Sequence, residues 1–274
     1  MVRILMLVAA QVWDPAHPTR LEPALIQALA QLEGSPAYAP AAAEYARFLV
    51  AHGRKDEAEA WFRKSIGLRT AAADLESLAA LGPPDAIALL TRAVAIRDKE
   101  GQPTALSRTL RRLGAAQEAQ RESAAAEATY RRALPIATGA EVGLLANDIG
   151  LILENRNDMR GAEAMYRRAL AAFERVHGPR HPEVGAALNN LAGSLGAQGR
   201  IAEAEPMLRR ALATFDATVG PNHERTAATA ANLGDLLDAR GRTAEARLFY
   251  QRAATTYEAL GNRAEAEGVR ARMK

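Results

Sequence analysis

The chain has 274 residues, a formal net charge of +3 and 24% charged residues of both signs interspersed. No field of one sign dominates, so the charge balance gives no support for a nucleic-acid partner. There is no Cys, which removes disulfides, thiolate metal sites and thiol nucleophiles together. Aromatics make up only 5% while Ala and Leu are abundant, a composition that favours helix and serves sheet poorly.

At the N-terminus, Arg3 followed by Ile4 to Ala10 imitates a short export signal, although the apolar run is at the lower limit of length. It is also too short to span a membrane. A buried first helix is the alternative, and cytoplasmic residence is the expectation. A degenerate partial unit is expected within Leu21 to Leu32. The organisation expected is an N-terminal helical segment over 1–39, about six tandem repeats over 40–261 and a polar capping helix over 262–274.

The repeats announce themselves through one phrase: Tyr130-Arg131-Arg132-Ala133-Leu134, Tyr166-Arg167-Arg168-Ala169-Leu170, Leu208-Arg209-Arg210-Ala211-Leu212 and Tyr250-Gln251-Arg252-Ala253-Ala254. Phe62 and Leu90 begin weaker copies. Successive anchors from Phe62 to Tyr250 are separated by 28, 40, 36, 42 and 42 residues, a helical-repeat period that is irregular upstream. The unit of Leu90 departs most, with Pro83-Pro84 where its inter-helix turn should lie. Four residues before each anchor sits Ala126, Ala162, Ala204 or Ala246, and an earlier pair (Leu113-Gly114, Ile149-Gly150, Leu191-Ala192, Leu233-Gly234) recurs as well. Large residues one turn from small ones let antiparallel helices approach closely. Gln198-Gly199-Arg200 and Arg240-Gly241-Arg242 read as turns between paired helices. Gly178 and Gly220, each followed by Pro, read as left-handed caps that stop a helix. Pro206 is expected in the first turn of its helix, where a missing N–H costs little.

The run Asn189-Asn190-Leu191-Ala192, Gln198-Gly199-Arg200, Ala202-Glu203-Ala204-Glu205-Pro206 and Leu208-Arg209-Arg210-Ala211-Leu212 resembles the tetratricopeptide repeats, in particular the 42-residue subtype of kinesin light chains. The connectors His177-Gly178-Pro179-Arg180-His181-Pro182 and Val219-Gly220-Pro221-Asn222-His223-Glu224 are similar to that subtype too. The likeness is strong from about Glu141 to Gly261 and weaker from Pro40 to Gly139. It implies an all-α, right-handed superhelical solenoid of antiparallel helix pairs. The first helix of each pair would line a concave groove, and the partner implied is another protein or peptide, with no membrane and no cofactor.

That resemblance places Arg108, Arg111 and Arg112 in the groove, then Asn147 with Asp148, Leu151 and Glu154, then Asn189, Asn190, Gly193 and Gly196, and finally Asn232, Asp235 and Asp238. An Asn amide donates and accepts at once, so a series of them suits an extended peptide backbone of varied sequence. The alternative is that these amides knit neighbouring helices. Gly193 and Gly196, three apart on one helical face, would floor a side-chain pocket or else mark a crowded helix contact. A basic-to-acidic polarity from the arginines to Asp235 and Asp238 would orient a bound peptide.

Catalytic readings find little support in the sequence. Ala192-Gly193-Ser194-Leu195-Gly196 imitates a nucleophile elbow but falls inside a helix, where no strained turn presents the serine. His177 and His181 are separated by the helix-breaking Gly178-Pro179, so a metal pair is not expected; His181 and His223 read as hydrogen-bonding within their connectors. The paired arginines of the second helices read as a solvated outer face. The function expected is a non-catalytic scaffold or adaptor that holds a partner's peptide. The rival is a sensor module whose curvature changes on binding and controls an effector.

Overall fold

The computed structural model describes residues 22–68 and 70–273. The segment Ile4 to Ala10 therefore lies outside the described residues. Fourteen α-helices and no strand occur among the described residues, in accord with the all-helical expectation. They are α1 (Glu22–Leu32), α2 (Tyr38–Ala51), α3 (Lys55–Leu68), α4 (Ala72–Ala79), α5 (Ala86–Glu100), α6 (Pro103–Ala119), α7 (Ser123–Ala133), α8 (Ala140–Asn155), α9 (Met159–His177), α10 (Pro182–Ala197), α11 (Ile201–Thr218), α12 (Glu224–Asp238), α13 (Thr243–Ala259) and α14 (Arg263–Ala271). A short 3-10 turn, Leu134–Ile136, follows α7. The chain divides into two compact units between Glu122 and Ser123, a boundary inside the span expected for the repeats. α1 to α6 belong to the first unit and α7 to α14 to the second.

In the second unit, α8/α9, α10/α11 and α12/α13 are helix pairs closed by turns of the same design. The backbone N–H of Asp158, Arg200 and Arg242 donates to the carbonyl five residues back (Leu153, Leu195 and Leu237) at 2.8, 2.9 and 3.0 Å, and Asn157, Gly199 and Gly241 just before them have positive φ. This is the Schellman way of ending a helix. Asp158 then caps α9 by accepting from the Gly161 N–H at 2.9 Å. Along α9, Ala162, Tyr166, Ala169 and Phe173 are buried, the spacing that one inward stripe of a helix requires. Ala126, Ala162, Ala204 and Ala246 have no accessible surface, as notches for neighbouring helices should.

Glycine makes the fit of ring to helix possible. A Cβ on Gly150 would lie 2.5 Å from the Tyr166 ring, and one on Gly234 would lie 2.5 Å from the Tyr250 ring. Gly143 and Gly185 make the same room for Phe173 and Phe215, at 2.5 and 3.0 Å. In the middle repeat the ring is replaced by Leu208 and the glycine by Ala192, both buried, so the methyl group of Ala192 fills the place of the ring carbons while nothing replaces the hydroxyl.

Glutamates staple the repeats together. Glu163 accepts from Arg167 of its own helix at 2.9 Å and from Arg200 of the next repeat's turn at 2.7 Å, with Gln198 at 3.0 Å. Glu205 does likewise with Arg209, Arg240 and Arg242, at 3.0, 2.7 and 2.8 Å, and Glu127 pairs with Arg131 and Arg156. Burial opposes the charge on Glu163, but hydrogen bonds from Gln198, Arg167 and Arg200 together outweigh it and hold the carboxyl at about 2. Glu205 is held at about 2 by the same balance, with burial opposed by Arg242, Arg209 and Arg240. The paired arginines are exposed, as a solvated face requires, and the first of each pair is in addition tied to the glutamate of an inter-repeat staple.

Two expectations are corrected. α11 begins at Ile201, which puts Pro206 inside the helix, where it forgoes the bond to the Ala202 carbonyl. Gly178 has φ 81° but ψ 169°, an extended conformation open essentially to glycine alone rather than the left-handed helical one.

The first unit is less regular. α4 is only eight residues long, and the Pro83-Pro84 turn precedes α5. Its core gathers Leu25, Leu29, Tyr38, Tyr45 and Leu49, with Trp61 edge-on to Tyr45 at 5.0 Å between ring centres. Two largely buried carboxylates organise its polar contacts. Asp74 meets Arg47 at 2.5 Å, and Glu76 accepts from Arg97, Thr109 and Arg112 at 3.1, 2.7 and 2.9 Å.

Candidate functional site

The residues singled out in the sequence fall into two groups. Arg108, Arg111 and Arg112 lie on α6 in the first unit. Arg108 is exposed, Arg111 half-buried, and Arg112 is paired with Glu76. Asn147, Asn189, Asn190, Gly193, Gly196, Asn232 and Asp235 lie in the second unit, on α8, α10 and α12.

Within the second unit the asparagines form a connected chain. Asn232 donates its side-chain N–H to Asn189 Oδ1 at 3.0 Å, Asn189 to Asn190 Oδ1 at 3.4 Å, and Asn190 to Asn147 Oδ1 at 2.9 Å. Three helices are crossed by three amide bonds. Each interior amide spends one of two N–H groups and one lone pair on its neighbours, which leaves hydrogen-bonding capacity on the same groups. The amides therefore knit the helices and still present polar edges on the α8, α10 and α12 face.

Beside that chain is a recess of about 390 Å³, lined among others by Glu154, Asn190, Gly193, Gly196, Leu208 and Asp235. Gly193 and Gly196 leave it open. A Cβ at Gly193 would meet nothing within 4 Å, and one at Gly196 would only touch Leu236 Cδ1 at 3.5 Å. These glycines are not forced by a crowded helix contact, in contrast to Gly150 and Gly234. On either side stand tyrosine–carboxylate pairs: Tyr166 donates to Glu154, and Tyr250 to Asp235 at 2.9 Å. Burial first, and then the neighbouring carboxylate, pushes both phenols well above the ordinary tyrosine value, so each stays a donor. These pairs leave no mark in the sequence, because tyrosine and acid are twelve or fifteen residues apart on different helices.

The remaining motifs have structural roles. Ser194 is buried within α10 and donates to the Met159 carbonyl at 2.7 Å, so it is not presented as a nucleophile. His181 and His223 cap α10 and α12, each accepting through Nδ1 from a backbone N–H two residues on, at 3.3 and 3.1 Å. His177 stacks on His181 with ring centres 4.1 Å apart. Among the described residues no cluster of three or more His, Asp or Glu could hold a metal ion, and no described helix is long and apolar enough to cross a membrane.

The tetratricopeptide-repeat family model matches residues 141–217 and 184–259, the part of the chain that carries the amide chain and the recess. Residues 141–259 are tetratricopeptide repeats. Solved tetratricopeptide-like structures share the fold. A putative kinesin light chain from Podosopora anserina with nearly identical repeats is 16% identical, with 81% of this chain and 96% of that one covered at a TM-score of 0.52. The apo form of RapI is 14% identical, with 84% and 94% covered at a TM-score of 0.63. A Rap protein complexed with Competence and Sporulation Factor is 12% identical, with 99% and 83% covered at 0.53. No curated protein sequence matches this chain.

Proposed function

We propose that this tetratricopeptide-repeat chain is a non-catalytic interaction module, a scaffold or adaptor that holds an extended segment of a partner polypeptide on the α8, α10 and α12 face. The observation that carries this reading is the amide chain from Asn232 to Asn147. Amides that both donate and accept suit a peptide backbone whose side chains vary. Family membership supports a protein partner, and the complexes named for two fold neighbours, Rap with Competence and Sporulation Factor and Cut9 with Hcn1, are of that class. Ser194, His177, His181 and His223 are occupied structurally, which supports a role without catalysis.

The test is affinity capture from the native lysate with the wild type, with an Asn190→Ala/Asn232→Ala double variant and with the outer-face control Arg168→Ala. Proteins captured by wild type and control but lost on the double variant support the reading. Capture that survives the double variant, with the variant folded, contradicts it. A second reading, a sensor that changes curvature on binding and controls an effector, draws on the Rap likeness; a ligand-dependent change in scattering radius would favour it.

A further inference from the structure

The recess exists because the middle repeat lacks side chains that its neighbours have. Counting by 42 residues, Leu208 stands where the flanking repeats carry Tyr166 and Tyr250. Gly193 stands where they carry Leu151 and Asp235, and Gly196 where they carry Glu154 and Asp238. Each flanking repeat closes its tyrosine hydroxyl onto a carboxylate of its own. The middle repeat has neither hydroxyl nor carboxylate, and about 390 Å³ of open space stands there instead.

The walls of that space define what fits. Carboxylates of Glu154 and Asp235 face it together with Asn amides, and no Lys, Arg or His lines it. Among the described residues, the side-chain partner of Glu154 is the neutral Tyr166 hydroxyl, so its charge is not balanced there. Asp235 shows what such a wall accepts: Arg272, just after α14, places Nη1 2.6 Å from Asp235 Oδ2. Leu208, Leu236 and Ile201 supply an apolar side to the same space.

Resting on the peptide-binding reading above, we propose that the recess takes one basic side chain of the bound peptide, arginine or lysine. The aliphatic stem lies against Leu208 and Leu236 while the charged head turns to the carboxylates, as amphipathic basic side chains do. The Asn amides hold the backbone on either side. An acidic side chain would meet the like charge of Glu154, which no cation balances among the described residues, and is disfavoured. Arg272 competes for one of the two carboxylates, so its removal frees Asp235 for the incoming cation.

The test pans a phage-displayed library of short random peptides on the full chain, and measures affinities of selected peptides on wild type and variants at low salt. Gly196→Leu fills the recess, Glu154→Gln removes one charge while keeping an acceptor for Tyr166, and Arg272→Ala removes the competitor. Melting temperatures establish that each variant is folded, and Glu154→Gln decides the matter if Gly196→Leu melts early. The selected peptides are expected to share one Arg or Lys position. Replacing it by the neutral isostere citrulline, or using Glu154→Gln, should weaken binding about tenfold, and Arg272→Ala should strengthen it. A shared motif without a basic residue, lost on Gly196→Leu, overturns the cation and leaves the peptide-binding reading standing. Basic peptides that bind a folded Gly196→Leu as tightly as wild type overturn the recess. Selected peptides insensitive to Asn190→Ala/Asn232→Ala, or no selected peptides at all, overturn the peptide-binding reading itself.

Discussion

Gly150 and Gly234 on one side, and Gly193 and Gly196 on the other, share a residue type and the same set of first helices, yet they do opposite things. The former are filled: a tyrosine ring occupies the place of each missing Cβ. The latter are empty, and the helix carries their conformational cost with no packing return. Glycine in a helix interior therefore has two physical meanings in one fold, and only the position of the neighbouring helix tells them apart.

Substitution by alanine should separate the two directly. Gly150→Ala or Gly234→Ala pushes a methyl group into a buried ring and is expected to cost about 1–3 kcal/mol, a clear fall in melting temperature. Gly193→Ala meets open space and should instead gain about 0.8–1 kcal/mol from helix propensity. Equal effects at the two classes of site would remove the distinction.

The staples offer the next largest effect. Glu205→Gln takes the carboxylate from Arg240 and one of two from Arg209 and Arg242, which keep Glu245, and is expected to cost about 1.5–3 kcal/mol, the range for hydrogen bonds to charged groups, as read from denaturant unfolding. The same contacts predict an acid response. Glu163 and Glu205 are held at about 2, below their ordinary 4.5. Their stabilisation is present in full above the ordinary value and is lost as pH falls from 4.5 through 2. Wild type should lose stability more steeply than a Glu163→Gln/Glu205→Gln double variant across that window; parallel curves would show that the staples contribute little.

The smallest effect belongs to the turns. Asn157 holds a positive φ in the slot where the next two repeats have Gly199 and Gly241. Asn157→Gly relieves a left-handed backbone but loosens the unfolded chain, so the net change should stay within about 1 kcal/mol. A larger loss in thermal melting would mean that the Asn157 side chain has a role of its own.

Much of this was legible in the sequence because repetition reads the same physical demand several times over. The anchors, the alanine notches, the histidine connectors and the glycine turns each recur, at 42 residues in the last repeats, and the anchors and notches are buried there as packing requires. The asparagines stood out in the sequence as polar residues of the first helices, but not their pairing with one another, which depends on how closely adjacent helices approach. The staples were half visible: Glu163 to Arg167 is a helical i,i+4 pair, whereas its bond to Arg200 joins two repeats. A recurring separation of 37 residues, from Glu163 to Arg200 and from Glu205 to Arg242, was the available signal. Pro206 was misplaced because nothing local marks Ile201 as the start of α11, so the helix was expected to begin later than it does. Nothing in the sequence marked the division at Glu122, since helix periodicity runs up to it from both sides.

The middle repeat leaves open the space that its neighbours fill with a hydroxyl and a carboxylate, and in the proposal above that space binds a basic side chain. Gly196→Leu tests it most directly, with melting temperature and affinity for a recess-selected peptide measured on the same sample. A melting temperature within a few degrees of wild type and an affinity lowered about tenfold or more are expected. A folded Gly196→Leu variant that binds the peptide as tightly as wild type would contradict it.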